Sequence, residues 1–354
     1  MEFKAEEDKA QITGRTLYTD GVRYISFSGS SVCFRFAGKK AQAEIISDSP
    51  DWDEDHKCFV AVYADDRREP LRIISPDSRR AVYTLWESDT EEEITIRIVK
   101  YSEEAFGKCG ISRLIIDTDK LLAPPKPPAR RIEFVGDSIT CGFGVESSDE
   151  NDSFRTQDEN PAKAYALITA GRLGAQAQLV AWSGIGVISN WVDESANEPL
   201  ADWLMPMLYQ YTDASCSKLL YGDDRDKWEK WDFKRFVPDI IVVNLGTNDS
   251  SYCRDVKDRH EAFRDAYSDF LKYIGEHNPS SQVLCVLGTM DRSLCPDVEA
   301  AVKAMGSDRF HYLMLPLQDK ASDGIGADFH PSPVTQAKTA DLVVSEIKKI
   351  MNWD

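Results

Sequence analysis

Between residues 15 and 118 apolar and polar side chains alternate with a period of two, as in Val32-Cys33-Phe34-Arg35-Phe36 and Ile94-Thr95-Ile96-Arg97-Ile98. Such alternation turns one face of an extended strand toward a core and the other toward water. Segments of the same character cover residues 21–27, 41–46, 58–63, 81–86 and 111–116, and turn-forming clusters such as Ser28-Gly29-Ser30 and Asp65-Asp66 lie between them. No helical stripe interrupts the series. Short strands at this spacing predict an antiparallel sandwich of the jelly-roll kind.

The rhythm stops at Ala123-Pro124-Pro125-Lys126-Pro127-Pro128. Its prolines fix φ and remove donors, so the segment reads as a stiff extended linker. Beyond it, apolar runs at 132–135, 178–182, 240–245, 283–287 and 312–315 have the length and composition of buried parallel strands. Helical stretches cover 162–173, 259–276 and 298–305, and a last helix runs from Pro333 to about Met351, with Ser332 as its N-cap. The predicted organisation is two-domain: an all-β jelly-roll sandwich over 1–122, a Pro-rich linker over 123–129, and an α/β/α domain with a parallel sheet over 130–354.

Composition narrows the partners. The 354 residues carry 42 Lys and Arg against 60 Asp and Glu, a net charge of -18 that repels phosphate backbones and anionic lipid headgroups. Neither a nucleic acid nor a membrane is expected as a partner. The opening MEFKAEEDKA has no apolar run, and no stretch approaches the ~18 apolar residues of a membrane span, so the chain is expected to be cytoplasmic. Eight cysteines (Cys33, Cys58, Cys109, Cys141, Cys216, Cys253, Cys285, Cys295) are scattered without a CxxC pair, which fits buried thiols in a reducing compartment better than disulfides or zinc.

Ligands of open α/β sheets collect at the carboxyl ends of the strands. There the chain places Gly136-Asp137-Ser138-Ile139-Thr140, Ser183-Gly184-Ile185-Gly186 and Gly246-Thr247-Asn248-Asp249, while Asp328-Phe329-His330-Pro331-Ser332 precedes the last helix. Acyl transfer needs a hydroxyl, an imidazole that takes its proton and a group that fixes the imidazole tautomer, and Ser138, His330 and Asp328 supply those types. The oxyanion of the tetrahedral intermediate needs donors already aimed at it. The main-chain N–H groups of Ser138 and Gly184 and the side-chain amide of Asn248 are the candidates, glycine at 184 permitting a close approach of the backbone. Asp249 reads as a turn carboxylate. The remaining histidines (His56, His260, His277, His311) show no metal-ligand spacing, so neither a metal nor another cofactor is expected.

In this order, GDSIT, SGIG, GTND and DFHPS resemble the sequence blocks of the SGNH (GDSL-like) hydrolases, and a β-sandwich ahead of them with a GADFHPS ending resembles carbohydrate esterase family 2. The resemblance implies a jelly-roll domain followed by an SGNH hydrolase domain. It implies removal of acetyl groups from manno- or xylo-oligosaccharides, with Ser138 as nucleophile, His330 as base and Gly184 and Asn248 as oxyanion donors. The wider superfamily places its acid three residues before the histidine, where this chain has Ala327. Asp328 lies two residues before, as in some family 2 members, while others work with a Ser-His dyad. Trp182, Trp191 and Phe329 flank the blocks and are candidates for stacking on a sugar ring. The aromatic-rich segment 203–231 reads as a long loop shaping the acceptor side. Two other readings stay open: an SGNH lipase or thioesterase acting on a different ester, and a catalytically inert carbohydrate-binding protein.

Overall fold

The computed structural model describes residues 1–354. Contacts divide the chain into two compact units. Unit 1 holds Met1–Pro128 together with Phe154–Glu159 and Thr212–Glu229; unit 2 holds Ala129–Ser153, Asn160–Tyr211 and Lys230–Asp354.

Unit 1 is an antiparallel sheet of nine strands: β1 (Glu2–Phe3), β2 (Gln11–Thr13), β3 (Leu17–Thr19), β4 (Val22–Tyr24), β5 (Ser31–Ser47), β6 (Val60–Ala64), β7 (Arg72–Ile74), β8 (Arg80–Lys100) and β9 (Cys109–Ile116). Their order is β3-β4-β9-β5-β8-β6-β7, with β1 added on β9 and β2 on β5. The sandwich-like enclosure thus comes from one continuous hydrogen-bonded sheet. Inward side chains of β9, β5, β8, β6 and β7 meet in a single core, among them Leu114, Phe34, Ile96, Val62 and Ile74.

The two longest strands contain what the sequence pattern separates into pairs of short ones. In β5 the core residues are Val32, Phe34 and Phe36, then Ala41, Ala43 and Ile45. The parity changes across the stretch where the register with β8 shifts, between Gly38 and Lys40 and again between Ala41 and Gln42. A bulge adds a residue without ending the strand, so each later apolar side chain keeps facing inward. The polar run in the middle of β8 mimics a turn in the sequence; in the structure Glu87 and Glu92 are the Cα partners of Lys40 and Gly38.

Unit 2 has five parallel strands, β10 (Arg130–Gly136), β11 (Ala175–Ala181), β12 (Ile240–Asn244), β13 (Gln282–Leu287) and β14 (Phe310–Met314), in the order β11-β10-β12-β13-β14. The principal helices are Tyr165–Leu173, Lys257–His277, Cys295–Ala304 and Pro333–Met351. The last begins as its sequence dictates, with the Ser332 side chain accepting from Thr335 N at 3.2 Å. Ile132, Phe134, Ile240, Val242, Leu284 and Val343 belong to one core that fixes the sheet against its helices. The chain leaves β10 toward β11 on one side and later returns to β12 on the other, which creates the switch point where ligands of such sheets bind. Gly136 pairs in register with both Ala181 and Asn244, so three strands end level there.

The segment 203–231 is more structured than a loop. It carries the helix Ala214–Tyr221, capped by Asp213, whose carboxylate accepts from Cys216 N at 2.8 Å. Two turns of helix are too short to leave a readable apolar stripe. No helix of the protein is long and apolar enough to cross a membrane.

Candidate active site

β10 ends at Gly136, and the chain turns at once into the short helix Ser138–Cys141. Asp137 is its N-cap: the carboxylate accepts from Ile139 N at 3.0 Å, which fixes the first turn and leaves Ser138 as its first residue. At the opposite end of the chain, the turn before the last helix delivers His330, and His330 Nε2 lies 2.8 Å from Ser138 Oγ. The structure therefore brings together a hydroxyl and an imidazole 192 residues apart in sequence.

The tautomer follows from the other ring nitrogen. His330 Nδ1 is 2.9 Å from the main-chain oxygen of Asp328. A carbonyl can only accept, so Nδ1 carries the proton, Nε2 offers its lone pair, and the Ser138 hydroxyl donates to it. Burial lowers the His330 pKa to about 4, against the opposing pull of the Asp328 carbonyl and charge. The imidazole is neutral at pH 7 and ready to take a proton.

For Asp328, open between a triad acid and a Ser-His dyad, the structure sets the main-chain carbonyl against the ring. The residue does orient the base, through its carbonyl rather than its carboxylate, because Asp328 (φ 47°) and Phe329 (φ 58°) both adopt left-handed conformations. That backbone aims the carbonyl at the ring and leaves the Asp328 side chain exposed. The turn is pinned by Asp328 N donating to Asp152 O (3.1 Å), His330 N donating to Ala327 O (3.0 Å) and Gln318 Nε2 donating to Phe329 O (2.8 Å). Left-handed conformations at non-glycine residues cost on the order of 1 kcal/mol each and persist where such contacts over-determine them.

Two of the predicted donors are main-chain groups. No protein group accepts from the N–H of Ser138 or Gly184. Gly184 has φ +74°, and a Cβ built on it would meet nothing within 4 Å. Its glycine is thus required by conformation and not, in this structure, by crowding. Asn248 Nδ2 donates to Ile185 O at 2.9 Å and reaches Asp137 Oδ2 at 3.4 Å, which sets the orientation of the amide. Asp249 is the structural carboxylate that the turn chemistry suggests. Its Oδ1 accepts from Val187 N (2.9 Å), Ile188 N (2.8 Å) and Ser189 N (3.1 Å), and its Oδ2 from Val187 N (3.0 Å). It thereby holds the loop that follows Gly184, while burial raises its own pKa to about 6.

Trp182 and Trp191 line a cavity of about 420 Å³ with Trp203, Gly184, Asn190 and Asp202. Trp203, the first residue of the aromatic-rich segment read as shaping the acceptor side, has its ring centroid 5.7 Å from that of Trp182. Phe329 is 53% exposed and does not line this cavity. A residue that sequence reasoning missed is Phe143, whose ring stacks on His330 with centroids 3.9 Å apart and planes 28° apart. The signal for it was the Gly142-Phe143-Gly144 triplet just after GDSIT. Gly144, at φ +66°, would bring a Cβ to 2.9 Å from Ala327 O, so the chain there needs glycine to approach the histidine turn.

Comparison with known proteins places both halves. Residues 12–125 match the family described as carbohydrate esterase 2 N-terminal, and residues 134–338 match the GDSL-like lipase/acylhydrolase family. The chain is 32% identical to the cellulase/esterase CelE of Acetivibrio thermocellus over 93% of its own length and 38% of that protein's. It therefore spans well under half of that relative. It is 26% identical to an acetylxylan esterase / glucomannan deacetylase of Cellvibrio japonicus over 99% of this chain and 91% of the other. Among solved structures, a family two carbohydrate esterase from Clostridium thermocellum in complex with cellohexaose superposes with a TM-score of 0.82 and 30% identity, covering 98% of this chain and 100% of that one.

Proposed function

The chain belongs to carbohydrate esterase family 2, and from that premise we propose that it is a carbohydrate O-acetyl esterase working through a Ser138–His330 acyl-enzyme mechanism. The observation that carries the reading is the 2.8 Å contact between Ser138 Oγ and the unprotonated Nε2 of His330, at the switch point of a parallel sheet. Ser138 Oγ attacks the acetyl carbonyl as its proton passes to Nε2. The tetrahedral oxyanion is met by the N–H groups of Ser138 and Gly184 and by the Asn248 amide N–H that reaches Asp137 only at 3.4 Å. His330 then passes the proton to the departing sugar oxygen, the carbon–oxygen bond to the sugar breaks, and water activated by the same imidazole releases acetate.

The substrates we propose are acetylated manno- and xylo-oligosaccharides. The tryptophan-lined cavity beside Gly184 supports this, since indole faces take pyranose rings while Asn190 and Asp202 offer polar partners to hydroxyls. All eight cysteines are free thiols, which supports action in a reducing compartment such as the cytoplasm. Acetate release from acetylated mannan- and xylan-derived oligosaccharides is the test. Wild-type activity with none in Ser138→Ala is expected; equal release by both proteins removes the assignment.

A further inference from the structure

The base of this site works without a carboxylate on Nδ1, yet in the transition state it must carry a full positive charge. Burial disfavours that charge, as the depressed pKa of His330 shows. The neutral carbonyl of Asp328 supplies one hydrogen bond in the plane of the ring. The group lying against the face of the ring is Phe143, stacked at 3.9 Å and only 5% exposed.

Resting on the esterase reading above, we propose that Phe143 is a positioning residue whose π face stabilises the imidazolium His330 becomes on taking the Ser138 proton, as a carboxylate does in a full triad. An aromatic ring presents negative potential on its face, and a cation within about 6 Å of the centroid is attracted to it, more strongly when both are desolvated. The interaction is differential. It is weak for the neutral imidazole of the resting enzyme and strong for the imidazolium, so it acts on the rate and not on ground-state binding. Local structure keeps the ring in place, since Phe143 N donates to Ser138 O at 3.1 Å and Ala327 N donates to Gly144 O at 3.2 Å. The strip around Phe143 is thus bonded to the nucleophile's own residue and to the turn that carries the base.

Replacing Phe143 with pentafluorophenylalanine reverses the sign of the ring's quadrupole while keeping its shape, and Phe143→Leu removes the π system. With p-nitrophenyl acetate both are expected to lower kcat by about tenfold with KM little changed, and to move the acid limb of the kcat/KM profile to lower pH. Phe143→Tyr, which keeps the π face, is expected to restore most of the rate. A pentafluorophenylalanine enzyme with wild-type kcat and an unmoved acid limb overturns the proposal, as does a loss confined to KM. The esterase reading fails separately: Ser138→Ala would then match wild type whatever stands at 143.

Discussion

In unit 1, Lys100, Glu103, Glu104, Lys108, Glu159 and Asp213 are all buried. Lys100 Nζ donates to Ser102 O (2.8 Å), Ser102 Oγ (2.6 Å) and Glu103 O (3.2 Å). Glu159 accepts from Glu103 N at 2.8 Å and Glu104 from Ser215 N at 3.1 Å. The Glu104 carboxyl is pushed well above the usual carboxylate range by burial and then by the charge of the neighbouring Asp213. Burial, joined by the charge of Glu103, does the same to Glu159. Unit 2 buries fewer such groups at its catalytic edge, and burial shifts them too, His330 downward and Asp249 upward. The contrast teaches that a displaced pKa reports desolvation, whereas chemistry needs a reacting atom at hydrogen-bond distance, and only His330 has Ser138.

Substitutions test that contrast at decreasing scale. Ser138→Ala is expected to lower kcat by a factor on the order of 10⁴ or more with no change in thermal melting, which separates reactivity from folding. Loss of melting temperature instead would mean that the hydroxyl is structural. Asn248→Ala should cost roughly 10²–10³ in kcat as an oxyanion donor. Across the divide, Glu104→Ala should leave Ser215 N without its acceptor and destabilise the protein by about 2 kcal/mol, read by denaturant unfolding.

The pH dependences have opposite sense. Glu104 and Glu159 hold raised folded pKa values, so the unfolded chain gives up their protons first. Their contribution to stability is therefore lost as pH rises from about 4.5 toward those folded values, and melting temperature should fall over that window. Glu104→Gln, which cannot ionise, should flatten the fall. Activity runs the other way: kcat/KM should rise with pH through about 4, where folded His330 loses its proton, and level above it. An acid limb near 6.5 would mean that the imidazole is more solvated than its burial indicates. The smallest effect belongs to Asp328→Asn. Asparagine tolerates the left-handed conformation and keeps the carbonyl, so kcat should drop less than about tenfold, against the ~10⁴ that loss of a triad carboxylate costs.

Much of unit 2 was legible because its signals are local. Apolar runs marked the strands, Ser332-Pro333 marked the last helix, and the polar blocks fell at strand ends where the topology brings them level. Ser138 and His330 could be singled out as a candidate pair for that reason, and the fold brings them to 2.8 Å. Asp328 could not be assigned an atom, because the choice between carbonyl and carboxylate depends on φ at two residues and not on residue type. Phe143 went unread since its one mark in the sequence, a place between two glycines, does not point to an imidazole until the fold lays one on the ring. In unit 1, Glu103-Glu104 looks like any exposed acidic pair, and only tertiary packing reveals that it is buried. The helix Ala214–Tyr221 and the continuity of β5 and β8 were hidden by the same dependence on long-range contacts.

On the proposed mechanism, Asp249 fixes when, as well as where, the anion cradle is made. One carboxylate gathers three successive amides from the loop that begins at Gly184, so that loop is rigid before any acetyl group arrives. A loop held this way by the fold meets each proposed turnover already organised, with no reorganisation to repeat.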